Sequence, residues 1–202
     1  MNLSDYTLGC QILIIFAFAV IGGGLKYIDD AFDEDIFSKK IAMVIAPIIV
    51  IIWVCLSISD SISATILFSV LFAVLLTGKI DNSVFKMSSI ALIVILALTR
   101  MLNFLWIPFF ILIGLGVADE KGNDYVDGYK TLKLCEFFFS HRCSMKLGLL
   151  GLCTFSLLPW LYLLAFLAFD GAYESVRIFS KISVENQRAR KSAISILPIV
   201  NG

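Results

Sequence analysis

The chain has 202 residues, 59% of them hydrophobic and only 16% charged, with 16 basic and 16 acidic side chains in balance. A soluble domain carries roughly 45–50% apolar and ~25% charged residues, so this composition excludes an ordinary soluble globule. The balanced charge leaves no basic surface for nucleic acid, and five scattered cysteines supply no disulfide framework.

The apolar excess is arranged in blocks, each approaching the ~20 residues that cross ~30 Å of hydrocarbon. The opening MNLSDYTLGC lacks the basic region and cleavage site of a secretory signal, so the first block is expected to remain as a helix over 8–24. It ends in Gly22-Gly23-Gly24, a candidate close-packing point. A polar stretch, LKYIDDAFDEDIFSKK, follows at 25–40. Further helices are expected over 41–58 and 61–78, with Pro47 kinking the first. Only Ser59-Asp60 separates them, which implies a tight antiparallel hairpin, and Asp81 and Asn82 centre the next polar turn.

The block 87–117 admits two readings. As one helix it would run ~46 Å at 1.5 Å per residue and leave Arg100 deep in the membrane, a costly position. As two helices, over 84–99 and 103–117, it turns back near Thr99-Arg100-Met101-Leu102-Asn103. The second reading is preferred and gives six spans with the last at 147–169; the first gives five. Lysines and arginines mark the cytoplasmic face, and in both topologies loops 25–40 and 79–86 fall on the richer side. No internal repeat stands out. The expected organisation is an all-α, multi-pass transmembrane bundle over 1–169, followed over 170–202 by a basic amphipathic segment suited to anionic headgroups. Cys135, His141 and Cys143 in CEFFFSHRC fit no zinc spacing.

Chemistry is concentrated in Asp29-Asp30-Ala31-Phe32-Asp33, which reads DDxxD. On a helix Asp29 and Asp33 share a face, and two carboxylates so placed suit Mg²⁺, which keeps waters that a diphosphate can replace. The pentad resembles the aspartate-rich motif of prenyl-diphosphate enzymes, including the membrane-embedded UbiA-type prenyltransferases. The resemblance implies a lipid diphosphate substrate and Mg²⁺. Those enzymes usually begin the motif with Asn-Asp, carry a second aspartate-rich loop and have more helices. Here the nearest second loop, Asp119 to Asp127, is read as having its acids at a different spacing.

The expected function is Mg²⁺-dependent chemistry on an isoprenoid-type diphosphate or similar amphipathic phosphate at an acidic cytoplasmic face, in contact with membrane lipids. Asp29, Asp30 and Asp33 are the expected catalytic residues. Asp29, Asp33, Asp81 and Asp119 are the expected metal ligands, and Lys26, Asn82 and Arg100 the substrate contacts. The competing expectation is a non-enzymatic membrane protein, a small permease, channel subunit or scaffold, whose acidic loops are solvated or bind a partner.

Overall fold

A computed structural model describes residues 7–33, 36–78, 83–99, 103–129 and 132–196. The described residues fold into eight helices with no strand: α1 (Leu8–Asp33), α2 (Lys39–Ser59), α3 (Ser61–Leu76), α4 (Ser83–Thr99), α5 (Trp106–Gly128), α6 (Lys133–Ser140), α7 (Cys143–Thr154) and α8 (Trp160–Ile196). The all-helical expectation holds. Six spans are expected from the sequence; among the described residues, α1 and α2 are the two helices long and apolar enough to cross a membrane.

Two prolines lie at helix starts. Pro108 sits in the first turn of α5, where its missing N–H costs nothing; within a single long helix its ring would clash with the carbonyl of Phe104. The chain therefore breaks, and Leu105 is extended. Its N–H donates to Thr65 Oγ1 at 3.0 Å, and Ser69 Oγ donates to the Phe109 carbonyl at 3.3 Å, so hydroxyls of α3 fasten the start of α5. The expected single span 147–169 is corrected in the same way. Pro159 immediately precedes α8, α7 stops at Thr154, five residues separate the two helices, and Ser156 among them takes a left-handed conformation (φ 58). At 1.5 Å per residue the 12 residues of α7 rise ~18 Å, too little for ~30 Å of hydrocarbon. By contrast Pro47 lies inside an unbroken α2. The expected boundary at 169/170 is no break in the helix, because α8 continues for 37 residues.

Six helices close a ring in the order α1, α2, α3, α5, α7, α8, with each packing on the next and α8 returning to α1. α4 lies against α2, and α6 against α5 and α7. Two seams are parallel. On α1 and α8, Gly22 meets Phe169 and Lys26 meets Tyr173; on α3 and α5, Thr65 meets Leu105 and Ala73 meets Gly116. Neighbours elsewhere in the ring run antiparallel: Asp119 of α5 meets Ser144 and Met145, and Leu115 meets Gly148.

The two parallel seams give α1–α2–α3 and α5–α7–α8 the same course around the ring. Ile14, Phe18 and Gly22 form a buried i, i+4 ridge on α1; Pro108, Leu112 and Gly116, 94 residues on, form one on α5. Phe18 and Leu112 are both 0% exposed. The other buried positions of α1, Ala17, Ile21, Ile28, Asp30 and Ala31, fall at this offset on half-buried or exposed residues of α5, so the likeness is confined to the ridge.

Polarity is divided between the two ends of the ring. Among the described residues every Lys and Arg lies at the end formed by the C-termini of α1 and α5, the α6–α7 turn and the distal part of α8. At the opposite end Asp60 caps α3, accepting the amides of Ile62 and Ser63 at 3.3 and 2.7 Å. The flanks between are apolar and open, with Leu13, Phe16, Val44, Ile51, Ile107 and Phe110 all exposed.

A Cβ on Gly22 would collide with the backbone of Phe169, whereas one on Gly114 meets nothing within 4 Å. Gly22→Ala should therefore lower thermal stability in detergent, at a cost of about 1–3 kcal/mol from overpacking. Gly114→Ala should be neutral or stabilising by up to ~1 kcal/mol. Equal melting temperatures for the two variants would refute the tight α1–α8 seam.

Candidate functional site

α1 stays helical through Asp33, so the DDxxD pentad lies on its last turns rather than in a loop. Lys26 reaches both neighbouring acids of this segment: its Nζ lies 2.8 Å from Asp29 Oδ2 and 2.8 Å from Asp30 Oδ1. Asp30 is turned inward at 4% exposure, and its Oδ2 has no hydrogen-bond partner. Asp29 is partly open at 42% and Asp33 is exposed. A buried carboxylate oxygen left unpaired costs free energy that a cation or a donor would recover.

A string of side chains carries this polarity across the ring. Lys26 sits 5.6 Å from the centroid of the Tyr173 ring on α8, and the Arg142 guanidinium approaches the same ring at 4.7 Å. Arg142 in turn donates to Glu120 of α5 at 3.0 Å. Lys146 pairs with Asp170 and donates to the His141 carbonyl at 2.7 Å. Arg177 donates to Glu174 at 2.9 Å and to the Ser140 carbonyl at 3.3 Å. Burial works against the Arg142 charge, but Tyr173, Glu120 and Asp170 outweigh it and hold its pKa above the ordinary value. Counting Asp119, these ten ionic groups comprise six carboxylates and four cations.

Asp119, expected as a metal ligand, is already employed. α7 begins immediately after Arg142, whose left-handed backbone (φ 49, ψ 45) gives no side-chain cap. Asp119 serves instead from α5: it is 1% exposed, and its Oδ1 and Oδ2 accept the amides of Ser144 and Met145 at 3.0 and 2.9 Å. Burial nevertheless raises its pKa above the usual 3.8, against those hydrogen bonds and the nearby Arg142. Both oxygens are thus turned to joining α5 to α7.

The structure brings together Lys26, Asp29, Asp30 and Asp33 on α1 and carries Asp119 to the same end. Asp81, Asn82 and Arg100 lie outside the described residues. Among the described residues no three His, Cys, Asp or Glu side chains converge into a ready-made metal cage.

The offset between the two ridges picks out what the sequence reading passed over. Adding 94 to Asp29-Asp30-Ala31-Phe32-Asp33 gives Asn123-Asp124-Tyr125-Val126-Asp127, which reads NDxxD. The second aspartate-rich segment has the same spacing as the first once its frame starts at Asn123 rather than Asp119. Both pentads occupy the C-terminal turns of the first helix of their half. Gly22 and Gly116, eight residues before Asp30 and Asp124, would have supplied the register. The environments differ, since Asp30 is buried and Asp124 exposed. Comparison of the chain with protein families, curated proteins and solved structures finds no match.

Asp119→Ala leaves two amides at the start of α7 without their acceptor. The expected cost is about 1–3 kcal/mol, accompanied by faster hydrogen exchange at Ser144 and Met145. Unchanged protection at these two amides would exclude the inter-helix cap.

Proposed function

We propose that the chain is a membrane-embedded enzyme whose acidic end binds Mg²⁺ and the diphosphate of an isoprenoid-type or similar amphipathic phosphate. The observation that carries this reading is the pair of pentads, DDxxD at 29–33 and NDxxD at 123–127, each on the C-terminal turns of its helix and at one end of the ring. One such pentad arises readily in any acidic segment. Two at the same end are what a site drawing on both helices requires, and they support the resemblance to UbiA-type prenyltransferases.

The residues fit a hard, oxygen-seeking cation. Mg²⁺ is commonly held by one or two carboxylates, its remaining positions going to water and substrate phosphate, so a closed cage of protein ligands is unnecessary. Asp29 and Asp33 share the more open face of α1, while Asp30 offers an inward oxygen without a partner. Asp124 and Asp127 supply the counterpart carboxylates in sequence. Bound Mg²⁺ would neutralise the charge that develops on a departing diphosphate. Lys26 orients Asp29 and Asp30 and adds positive charge beside them, and Asp119 keeps the α6–α7 turn, with Arg142, against α5. The exposed apolar flanks suit surrounding lipid, being more extensive than a soluble monomer tolerates. Concentration of Lys and Arg at the acidic end favours a cytoplasmic orientation for that end.

A second reading follows from the ion pairs themselves. Lys26, Arg142, Lys146 and Arg177 are each matched to carboxylates, as they would be in a non-enzymatic scaffold fastened at its polar end.

Two experiments separate the readings. Purified full-length chain should release inorganic diphosphate from an isoprenyl diphosphate only with Mg²⁺, and Asp30→Asn or Asp124→Asn should reduce the rate by about 10–100-fold while the protein remains folded. No Mg²⁺-dependent turnover with medium or long isoprenyl chains, together with unaltered thermal stability on adding Mg²⁺ and diphosphate, favours the scaffold. For orientation, a cysteine introduced at Lys181 of a cysteine-free chain should react with an impermeant maleimide only after permeabilisation of cells. Labelling of intact cells reverses the assignment.

A further inference from the structure

Among the described residues Tyr173 is touched by cations from two separate parts of the ring. Lys26 comes from α1 and Arg142 from the α6–α7 turn, and both lie within 6 Å of the ring centroid. Two like charges gathered this closely repel unless something anionic lies between or beside them. Each has its own carboxylate, Asp29 and Asp30 for Lys26 and Glu120 for Arg142, yet neither is sealed in. Their side chains keep 15% and 20% exposure.

The two cations differ in a useful way. Lys presents a compact point charge with rotatable donors, and Arg a planar fork that matches phosphate oxygens two at a time. Their elements belong to opposite halves of the molecule: α1 carries the DDxxD pentad, and Arg142 binds Glu120, three residues before Asn123 of the second. Tyr173 therefore stands at the join between the pentads. Its aromatic face attracts both cations through the ring quadrupole, which fixes their separation without neutralising either.

Building on the proposed diphosphate chemistry, we infer that Lys26 and Arg142 form a two-point clamp for the phosphate group of the substrate and that Tyr173 is the positioning residue that spaces them. The ring face does the spacing and the hydroxyl is dispensable. The clamp grips the phosphate moiety itself, whether free or attached to a hydrocarbon chain.

The test uses full-length protein in detergent with Mg²⁺ and two probes, inorganic diphosphate and an isoprenyl diphosphate, each titrated calorimetrically. Tyr173→Phe, which keeps the ring, should bind both within about twofold of the unaltered chain. Tyr173→Leu, which keeps bulk and loses the ring face, should weaken both by roughly tenfold. Arg142→Lys, which keeps charge and loses the fork, should weaken both as well. The clamp is overturned if Tyr173→Leu lowers the melting temperature and leaves both affinities intact, because the ring is then only packing. It is also overturned if the loss is confined to the isoprenyl probe, since the ring then touches the chain. Should Tyr173→Leu not fold, Arg142→Lys decides alone, and unchanged affinity in that variant rejects the clamp. Absence of any Mg²⁺-dependent diphosphate binding by the unaltered chain rejects the proposed function itself, whereas binding that these variants leave untouched rejects only the clamp.

Discussion

A charge withdrawn from water among apolar helices must bring its own compensation, and Lys26 is where this requirement shapes the molecule. It sits one turn beyond Gly22, on the ridge where α1 presses against α8. Removing one partner from a buried pair costs ~3–5 kcal/mol, so the acids that answer Lys26 cannot be placed freely. They come from the following turn, Asp29 and Asp30, which continues α1 as a helix past the apolar block. That continuation carries the pentad to Asp33 and directs one of its carboxylates inward. The same requirement is met for Arg142 by Glu120 and for Lys146 by Asp170, which ties α5, α7 and α8 to the same end.

What the sequence made legible is what local physics decides. Apolar blocks announce α1, α2 and α3 because each is long and bounded by polar turns, and Asp60 is recognisable as punctuation between α2 and α3. Pro108 and Pro159 carried the remaining information. In a hydrocarbon run proline is often tolerated, as Pro47 is, so its presence alone does not announce a break. It becomes decisive where partners await the ends it creates: Thr65 and Ser69 receive the start of α5, and those partners are forty residues away. The hairpin of α7 and α8 escaped notice because its turn, from Phe155 to Leu158, is nearly as apolar as its helices.

The likeness of the two ridges was hidden for a related reason. Packing against a parallel helix demands small or apolar residues every four positions, and Ile14, Phe18 and Gly22 satisfy it as well as Pro108, Leu112 and Gly116. That demand leaves identity largely free. At the same offset the letters agree at few places, among them Phe16 with Phe110, Gly22 with Gly116, and the pentads Asp29-Asp30-x-x-Asp33 and Asn123-Asp124-x-x-Asp127. The candidate site was thus half visible. Its first pentad could be read directly, but its second required a register that only the two parallel seams provide, and Asp119 was chosen in its stead because it begins the acidic run.

The two halves are matched in position but not in charge. At the rung where α1 bears Lys26, α5 bears Glu120, so one half presents a cation and the other a carboxylate. A symmetric pair of lysines would repel across the ring and a symmetric pair of glutamates would need two further cations. The asymmetry is resolved by Arg142, brought in from the α6–α7 turn, which has no counterpart between α1 and α2. Its left-handed backbone denies α7 a local cap, and Asp119 supplies one from α5. A cation between the halves, a cap borrowed from another helix and an inward carboxylate with a spare oxygen thus lie at one end of the ring. Under the proposed function, a site drawn from these groups would have two distinguishable sides.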